Sequence, residues 1–181
     1  MHTFQSITRA IACFATCITL SITSIQAQDP GSSAEETLVA VLRSDVSPAE
    51  KAMACKKLAI AGSSQTVPEL AKLLPDPQLS SWARIALEAI PGEASDDALR
   101  DAAGSLDGQL LVGMINSIGV LEDAKSVDLL AQKLQDDDAE VASAAAVALG
   151  RIGDDAATKT LRSALAAAPA EVRSAIAEGC V

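Results

Sequence analysis

Apolar residues recur along this chain with the spacing of one face of an α-helix. Val141, Ala145 and Leu149 lie at positions i, i+4 and i+8, and matching patterns begin at Leu79 and Leu110. Side chains with this spacing lie on one side of a helix. No stretch shows sustained alternation with a period of two, so the pattern predicts an all-α protein.

The helical patterns themselves repeat along the chain. Leu58, Leu87, Ile118 and Leu149 are separated by 29, 31 and 31 residues. Three further columns keep this register: Leu79, Leu110, Val141 and Val172; Leu70, Leu99, Leu130 and Leu161; Leu74, Ala103, Leu134 and Leu165. A single hairpin cannot cover its own apolar face, so the repeats are expected to stack into an α-solenoid.

Each repeat contains two helical patterns and therefore predicts one helical hairpin. We expect a lone helix, four hairpins and a last unpaired helix that begins near Pro169. The lone helix is predicted at about 34–43, and the hairpins at about 48–74, 77–105, 108–135 and 139–167.

Residues that can cap a helix recur at the same position in each repeat. Ser47, Asp76, Asp107 and Asp138 occupy one column just before the first helix of each hairpin. Their side chains can accept hydrogen bonds from free N–H groups of the first helical turn. Between the two helices of the last hairpin, residues 150–155 read GRIGDD. This predicts a tight turn, with a glycine in a conformation that other residues resist and an aspartate that caps the next helix.

Residues 139–165, AEVASAAAVALGRIGDDAATKTLRSAL, carry the most regular of these repeats. They resemble a HEAT repeat, in particular the short form of the phycobilisome-lyase group, which reads V-R-x-x-A-A-x-A-L-G-x-I-G-D-x-x-A-x-x-x-L. The matching residues are Val141, Ala145, Ala146, Ala148, Leu149, Gly150, Ile152, Gly153, Asp154, Ala157 and Leu161. The resemblance implies a HEAT-like α-solenoid of about four hairpins plus half-repeats at each end, over residues 34–181.

The first 27 residues differ from the rest of the chain. Residues 1–9 carry one basic side chain, residues 10–25 are mostly apolar, and Ala27 precedes Gln28-Asp29-Pro30. This layout is typical of a secretory signal peptide. The alternative is a membrane anchor, although the apolar core falls short of the roughly 20 residues that span a bilayer. We therefore expect a signal peptide at 1–27, a short linker at 28–33 and an exported, periplasmic or secreted protein.

Removal of residues 1–27 would reduce the types of side chain that are available for catalysis and metal binding. The mature protein would contain no His, Phe or Tyr and would carry a net charge of about −11. This charge disfavours nucleic acid as a partner. The lack of histidine removes the most common general base and metal ligand. We expect no enzyme activity, catalytic residue, metal or cofactor. The run Asp136-Asp137-Asp138 is predicted to cap a helix rather than to bind Ca²⁺, because it lacks the alternating ligands and glycine of such loops.

A candidate protein-binding strip follows from the resemblance, which implies that the second helices line the concave side of the solenoid. The polar residues predicted to point outwards from these helices are Glu69, Lys72, Asp101, Asp128, Gln132, Lys133, Lys159 and Arg162. An ordinary soluble surface would have a similar composition, and the sequence does not separate the two interpretations.

Three further residues, Trp82, Cys55 and Cys180, are candidates for a structural or functional role. Trp82, the only tryptophan, either fills space between repeats or serves as a partly exposed anchor for a partner. Cys55 and Cys180 lie about four repeats apart, on the order of 40 Å, which excludes an internal disulfide. Cys180 is a candidate for an intermolecular disulfide. Since the apolar residues of the last helix lack a covering partner, we expect them to be exposed and to favour dimers through this end. The uncovered face also predicts a chain that is truncated there or that forms one portion of a longer protein.

The sequence thus predicts a non-catalytic, exported protein-binding scaffold, or the repeat module of a larger periplasmic protein. The alternative is an enzyme-associated repeat protein, since short HEAT repeats by resemblance occur in bilin lyases and beside catalytic or haem domains. No membrane association beyond the signal peptide is expected.

Overall fold

A computed structural model of the protein describes residues 30–166, 168 and 170–179. These residues form ten α-helices and one 3₁₀ turn, without any β-strand among them. The helices are α1 (Pro30–Arg43), α2 (Pro48–Ala61), α3 (Val67–Ala71), α4 (Ser80–Ala89), α5 (Glu93–Ala103), α6 (Gly108–Leu121), α7 (Val127–Lys133), α8 (Ala139–Ile152), α9 (Asp155–Leu165) and α10 (Ala170–Gly179), and the 3₁₀ turn is Ala124–Ser126.

The helices stack in two layers. The first helices of the hairpins, α2, α4, α6 and α8, pack side by side and are followed by α10. The second helices α3, α5, α7 and α9, preceded by α1, form the other layer, and each packs against the first helix that follows it. The four predicted hairpins and the α-solenoid are therefore confirmed.

The core lies between the layers, as two of the predicted columns require. Leu58, Leu87, Ile118 and Leu149 are fully buried, and so is the column of Leu70, Leu99, Leu130 and Leu161. A different column contains an error, because Leu110 is only half-buried and Leu111 occupies the buried position. Leu110 borders an open cavity of about 400 Å³ between α4 and α6, which leaves one side of it uncovered.

The predicted caps are only partly realised. Ser47 and Glu50 form a capping box at the start of α2, and Asp138 accepts from the Glu140 N–H. Asp107 precedes α6 without a side-chain cap. Asp76 accepts from the N–H groups of Gln78 and Leu79 and so stabilises a turn, which delays the start of α4 until Ser80.

The turn at residues 150–155 is built as predicted. Gly153 ends α8 with φ of 62°, a left-handed conformation that glycine adopts without strain. Asp154 then caps α9 by accepting from the Ala157 N–H at 2.7 Å. Gly150 allows close approach of α10, since a Cβ built on it would lie 2.6 Å from the Gly179 Cα.

The two ends of the described chain differ from expectation. Helix α1 begins at Pro30 rather than at residue 34, so part of the expected linker is helical. At the other end, Val172 and Ile176 are 3% and 1% exposed, so the prediction that they are uncovered is wrong. Both belong to α10, which packs on α8 and α9. The expected signal peptide at 1–27 and Cys180 lie outside the described residues. Of the helices that are described, none is long and apolar enough to cross a membrane.

Candidate protein-interaction surfaces

Glu69 and Lys72, two residues of the predicted strip, are engaged inside the molecule. The Glu69 Oε1 accepts from the Arg43 Nη2 at 2.9 Å and from the Lys72 Nζ at 2.8 Å. The hydrogen bonds from Arg43 and, second, from Lys72 lower the pKa of Glu69 to about 2. Since Arg43 lies on α1 and Glu69 on α3, this cluster ties the first two second-layer helices together.

The remaining strip residues are distributed over α5, α7 and α9. Asp101, Asp128, Gln132, Lys159 and Arg162 are exposed. Lys133 is half-buried, and its Nζ lies 3.8 Å from the Asp136 Oδ2. Six of the eight strip residues, including Lys72, are therefore exposed, and the use of the strip in protein binding stays a prediction.

A groove separates α7 from α9 and brings two of the predicted residues together. It has a volume of about 860 Å³, and both Asp128 and Lys159 line it. Its apolar lining includes Val127, Ala131 and Leu134 from the α7 side, Ala142 from α8, and Val172 and Ile176 from α10. Gln132, Lys133 and Arg162 do not line it.

The second layer has another groove between α3 and α5, with a volume of about 540 Å³. Small residues such as Ala71, Ala98 and Ala102 form much of its wall, and Asp97 and Asp101 lie along it. Alanines on facing helices leave these grooves open, because their side chains are too short to fill the space between the helices.

Trp82 lies on the other layer and is not part of the strip. It belongs to α4, is 40% exposed, and occupies the register column of Met53, which is also exposed. Trp82 is therefore partly exposed, and its role as an anchor for a partner stays a prediction.

One buried polar network was missed by the sequence reasoning. The Asp123 Oδ2 accepts from the Arg100 Nη2 at 2.7 Å and from the Ser126 Oγ at 2.5 Å. The Asp123 Oδ1 also caps the 3₁₀ turn through the Lys125 N–H. Burial lowers the pKa of Arg100, but the hydrogen bonds that Arg100 donates to Asp123 and Asp97 outweigh it, so the pKa is raised overall. The network joins α5 to the turn after α6, and the register of Asp123 with Asp154 was the only signal for it in the sequence.

A second network joins two first-layer helices. Arg84 on α4 donates to the Ser117 Oγ on α6 at 2.7 Å, and that hydroxyl donates to the Glu88 Oε1 at 2.5 Å. The guanidinium lies over Gly113, where a Cβ would come within 2.9 Å of the Arg84 Nε. The three side chains therefore form one connected network, which stabilises the packing of α4 on α6.

The cysteine and acidic positions show no ligand-binding geometry in the described part of the chain. The Cys55 thiol is free and fully buried, and burial raises its pKa to about 11. No group of three or more His, Cys, Asp or Glu side chains among the described residues is arranged to hold a metal ion. Asp138 instead caps α8, as predicted.

Comparison with known proteins agrees with this architecture. Residues 106–179 match the family of HEAT repeats. This segment extends from just before α6 through α10, and the hairpins before it continue the same two-layer stack in the same register. Residues 106–179 are thus similar to HEAT repeats, and repeats of this class commonly mediate protein–protein interaction.

The solved structures that match include the crystal structure of an engineered protein. It shares 21% sequence identity with a TM-score of 0.49, and the alignment covers 84% of this chain and 78% of the engineered one. A search of curated proteins gave no significant match.

Proposed function

We propose that this protein is an exported, non-catalytic scaffold that binds a protein partner in the groove between α7 and α9. The observation that carries the proposal is the groove itself, with its apolar lining and with Asp128 and Lys159 along it. Apolar lining supplies binding free energy, while a few placed charges fix the orientation of a ligand. The groove lies within the residues that match HEAT repeats.

The strip residues outside the groove have a secondary role in this proposal. Arg162 and Gln132 are exposed on the same two helices and would contact the rim of a bound partner. Charges at the rim of an interface affect the association rate and the salt dependence more than the affinity.

A substitution that fills the groove tests the proposal. Ala156 is exposed and lines the groove at the start of α9, so Ala156→Trp would block it with little effect on folding. Ala34→Trp, at an exposed position on α1, is the matched control. Chemical cross-linking in the native host, followed by affinity purification, should recover one stoichiometric partner with the wild type and the control but not with Ala156→Trp. Equal recovery with both variants would refute the assignment of the groove.

The export part of the proposal rests on the charge layout of residues 1–27 and is tested separately. The native protein should begin at Gln28, give or take a few residues, as measured by intact mass or N-terminal sequencing. A native protein that retains Met1 in the cytosol would contradict export and leave the groove proposal intact.

A further inference from the structure

Exposed apolar side chains are concentrated on one face of the described structure. All six large hydrophobic residues that are exposed there lie on first-layer helices: Met53, Ile60, Trp82, Ile85, Val120 and Val147. Scattered exposed apolar residues are ordinary, whereas a contiguous group marks an interaction surface. The outer side of the first layer is therefore a candidate interaction surface.

Four of these residues form a single patch across two neighbouring helices. Met53 and Ile60 are seven residues apart on α2, about two turns or 10 Å along one side of the helix. Trp82 and Ile85 are at i and i+3 on α4, and Trp82 occupies the same register column as Met53. Because α2 and α4 pack side by side, the two stripes are adjacent. Ile60 is 87% exposed, so the fold itself makes almost no use of it.

The patch is basic, in contrast to the acidic chain as a whole. Lys56 and Lys57 are exposed between Met53 and Ile60, and neither forms an ion pair with a described residue. The single acid of α2, Glu50, is engaged in the capping box. The single acid of α4, Glu88, accepts from Ser117. The next first-layer helix, α6, contains no charged residue. No free carboxylate on these three helices competes for the two lysines, in a chain of net charge −10.

We infer that this surface, the α2–α4 patch of Met53, Lys56, Lys57, Ile60, Trp82 and Ile85, binds an acidic amphipathic helix of a partner protein. Two packed helices present a surface whose ridges lie roughly 8–10 Å apart, which suits one helix with apolar anchors at i, i+3 or i+4, and i+7. Acidic residues beside those anchors would meet Lys56 and Lys57. Tryptophan is enriched among residues that dominate binding energy, which assigns the central anchor to Trp82.

Other occupants fit the observations less well. Binding to an anionic membrane would gain only about 1 kcal/mol of free energy per lysine near the surface. The membrane would also repel the rest of this acidic protein. Within the described part of the chain, α5 is the most acidic helix, and its only leucine, Leu99, is fully buried in the core. It therefore cannot supply the apolar face that a second copy would need to occupy the patch.

Trp82 provides a direct readout, because it is the only tryptophan in the chain. The probe is a synthetic amphipathic helix of about 18 residues with leucine anchors on one side and glutamate elsewhere. Its charge-reversed counterpart carries lysine in place of glutamate. We expect the acidic peptide to shift the emission of Trp82 to the blue in a saturable manner that weakens with added salt, and the basic peptide to give no shift.

Three variants distinguish binding at the patch from general electrostatic attraction. The double substitution Lys56→Glu with Lys57→Glu should weaken binding of the acidic peptide by about tenfold or more. Arg151→Glu with Arg173→Glu makes the same charge change at exposed positions on α8 and α10 and should leave binding unchanged. Ile85→Ser removes an exposed apolar anchor and should also weaken binding, with the unfolding midpoint unaltered.

Four results would overturn the inference. They are the absence of a shift with the acidic peptide, equal binding of both peptides, a shift produced by phosphatidylglycerol vesicles in place of the peptide, and self-association through the patch in sedimentation without any peptide. None of these depends on the groove between α7 and α9, so the two surfaces are tested independently.

Discussion

The first-layer helices α6, α8 and α10 touch through backbone, whereas the second-layer helices are joined by charged side chains. A Cβ built on Gly119 would lie 2.9 Å from the Ala148 Cα, and a Cβ built on Gly150 would lie 2.6 Å from the Gly179 Cα. In the second layer, Arg43 reaches from α1 to Glu69 on α3 instead. Arg100 similarly connects α5 to Asp123 in the turn after α6.

The two layers also differ in where they leave open space. Backbone contact closes the space between α6, α8 and α10, while a cavity of about 400 Å³ remains between α4 and α6. In the second layer, larger grooves of about 540 and 860 Å³ lie between helices whose facing alanines are too short to fill the space. Exposed ion pairs contribute at most about 1 kcal/mol, so the buried columns between the layers supply most of the stability.

The largest expected effect tests that role of the buried columns. Leu149 on α8 is fully buried, and Leu149→Ala should reduce the free energy of unfolding by about 2–5 kcal/mol through lost burial and a new cavity. Val147→Ala on the outer side of the same helix, where the side chain is 43% exposed, should change it by less than about 1 kcal/mol. Urea unfolding of both variants measures the difference, and equal losses would contradict the assignment of inner and outer sides.

The next effect concerns the buried tether of the second layer. Asp123→Ala removes the acceptor that Arg100 and Ser126 share, and should cost about 1–3 kcal/mol because both donors lose their partner. Asp97 also accepts from Arg100, yet its side chain is 52% exposed, so Asp97→Ala should cost at most about 1 kcal/mol. If thermal or chemical unfolding gives the same loss for both, burial of Asp123 is not what makes this tether strong.

A smaller effect is expected where the first layer is packed most closely. Gly150→Ala places a Cβ against the backbone of Gly179, and overpacking of this kind costs about 1–3 kcal/mol. The gain in helix propensity, about 1 kcal/mol, offsets part of that cost. Gly104→Ala, where the nearest atom lies 3.4 Å away, is the control and should be neutral. Hydrogen exchange of α10 should increase in the first variant only, and unchanged protection would show that the two helices can separate freely.

The smallest effect is a pH dependence in the second layer. The pKa of Glu69 is lowered to about 2 from its usual value near 4.5, chiefly by the hydrogen bond from Arg43. A lowered pKa in the folded state stabilises the protein above about pH 4.5, and this stabilisation is lost as the pH falls towards 2. Thermal midpoints between pH 5 and pH 2 should therefore fall less steeply in Glu69→Gln than in the wild type. Arg43→Met should reduce the slope more than Lys72→Met, and the reverse order would contradict the assigned cause.

The sequence was sufficient to predict the hairpins, because each helix must bury one side and that requirement recurs every 29 or 31 residues. The fully buried leucines, the turn at Gly153 and the cap at Asp154 follow from the same periodicity. The error at Leu110 and Leu111 is an error of column, since Leu111, Met114, Ile115 and Ile118 are spaced at i, i+3, i+4 and i+7 and are all buried. Leu110 lies about 100° from Leu111 around α6 and is therefore only half-buried.

Only the tertiary structure decided which polar residues meet and which apolar residues stay exposed. Arg100 and Asp123 are 23 residues apart on different elements, so no local pattern pairs them. Val172 and Ile176 were expected to be exposed, yet the packing of α10 on α8 and α9 buries both. Trp82 and Ile85 lie on a helix whose other side fills the core, and they are exposed because no element covers the outer face of the first layer in the described structure. Periodicity fixes which side of a helix is apolar, whereas the distances between helices fix what that side contacts.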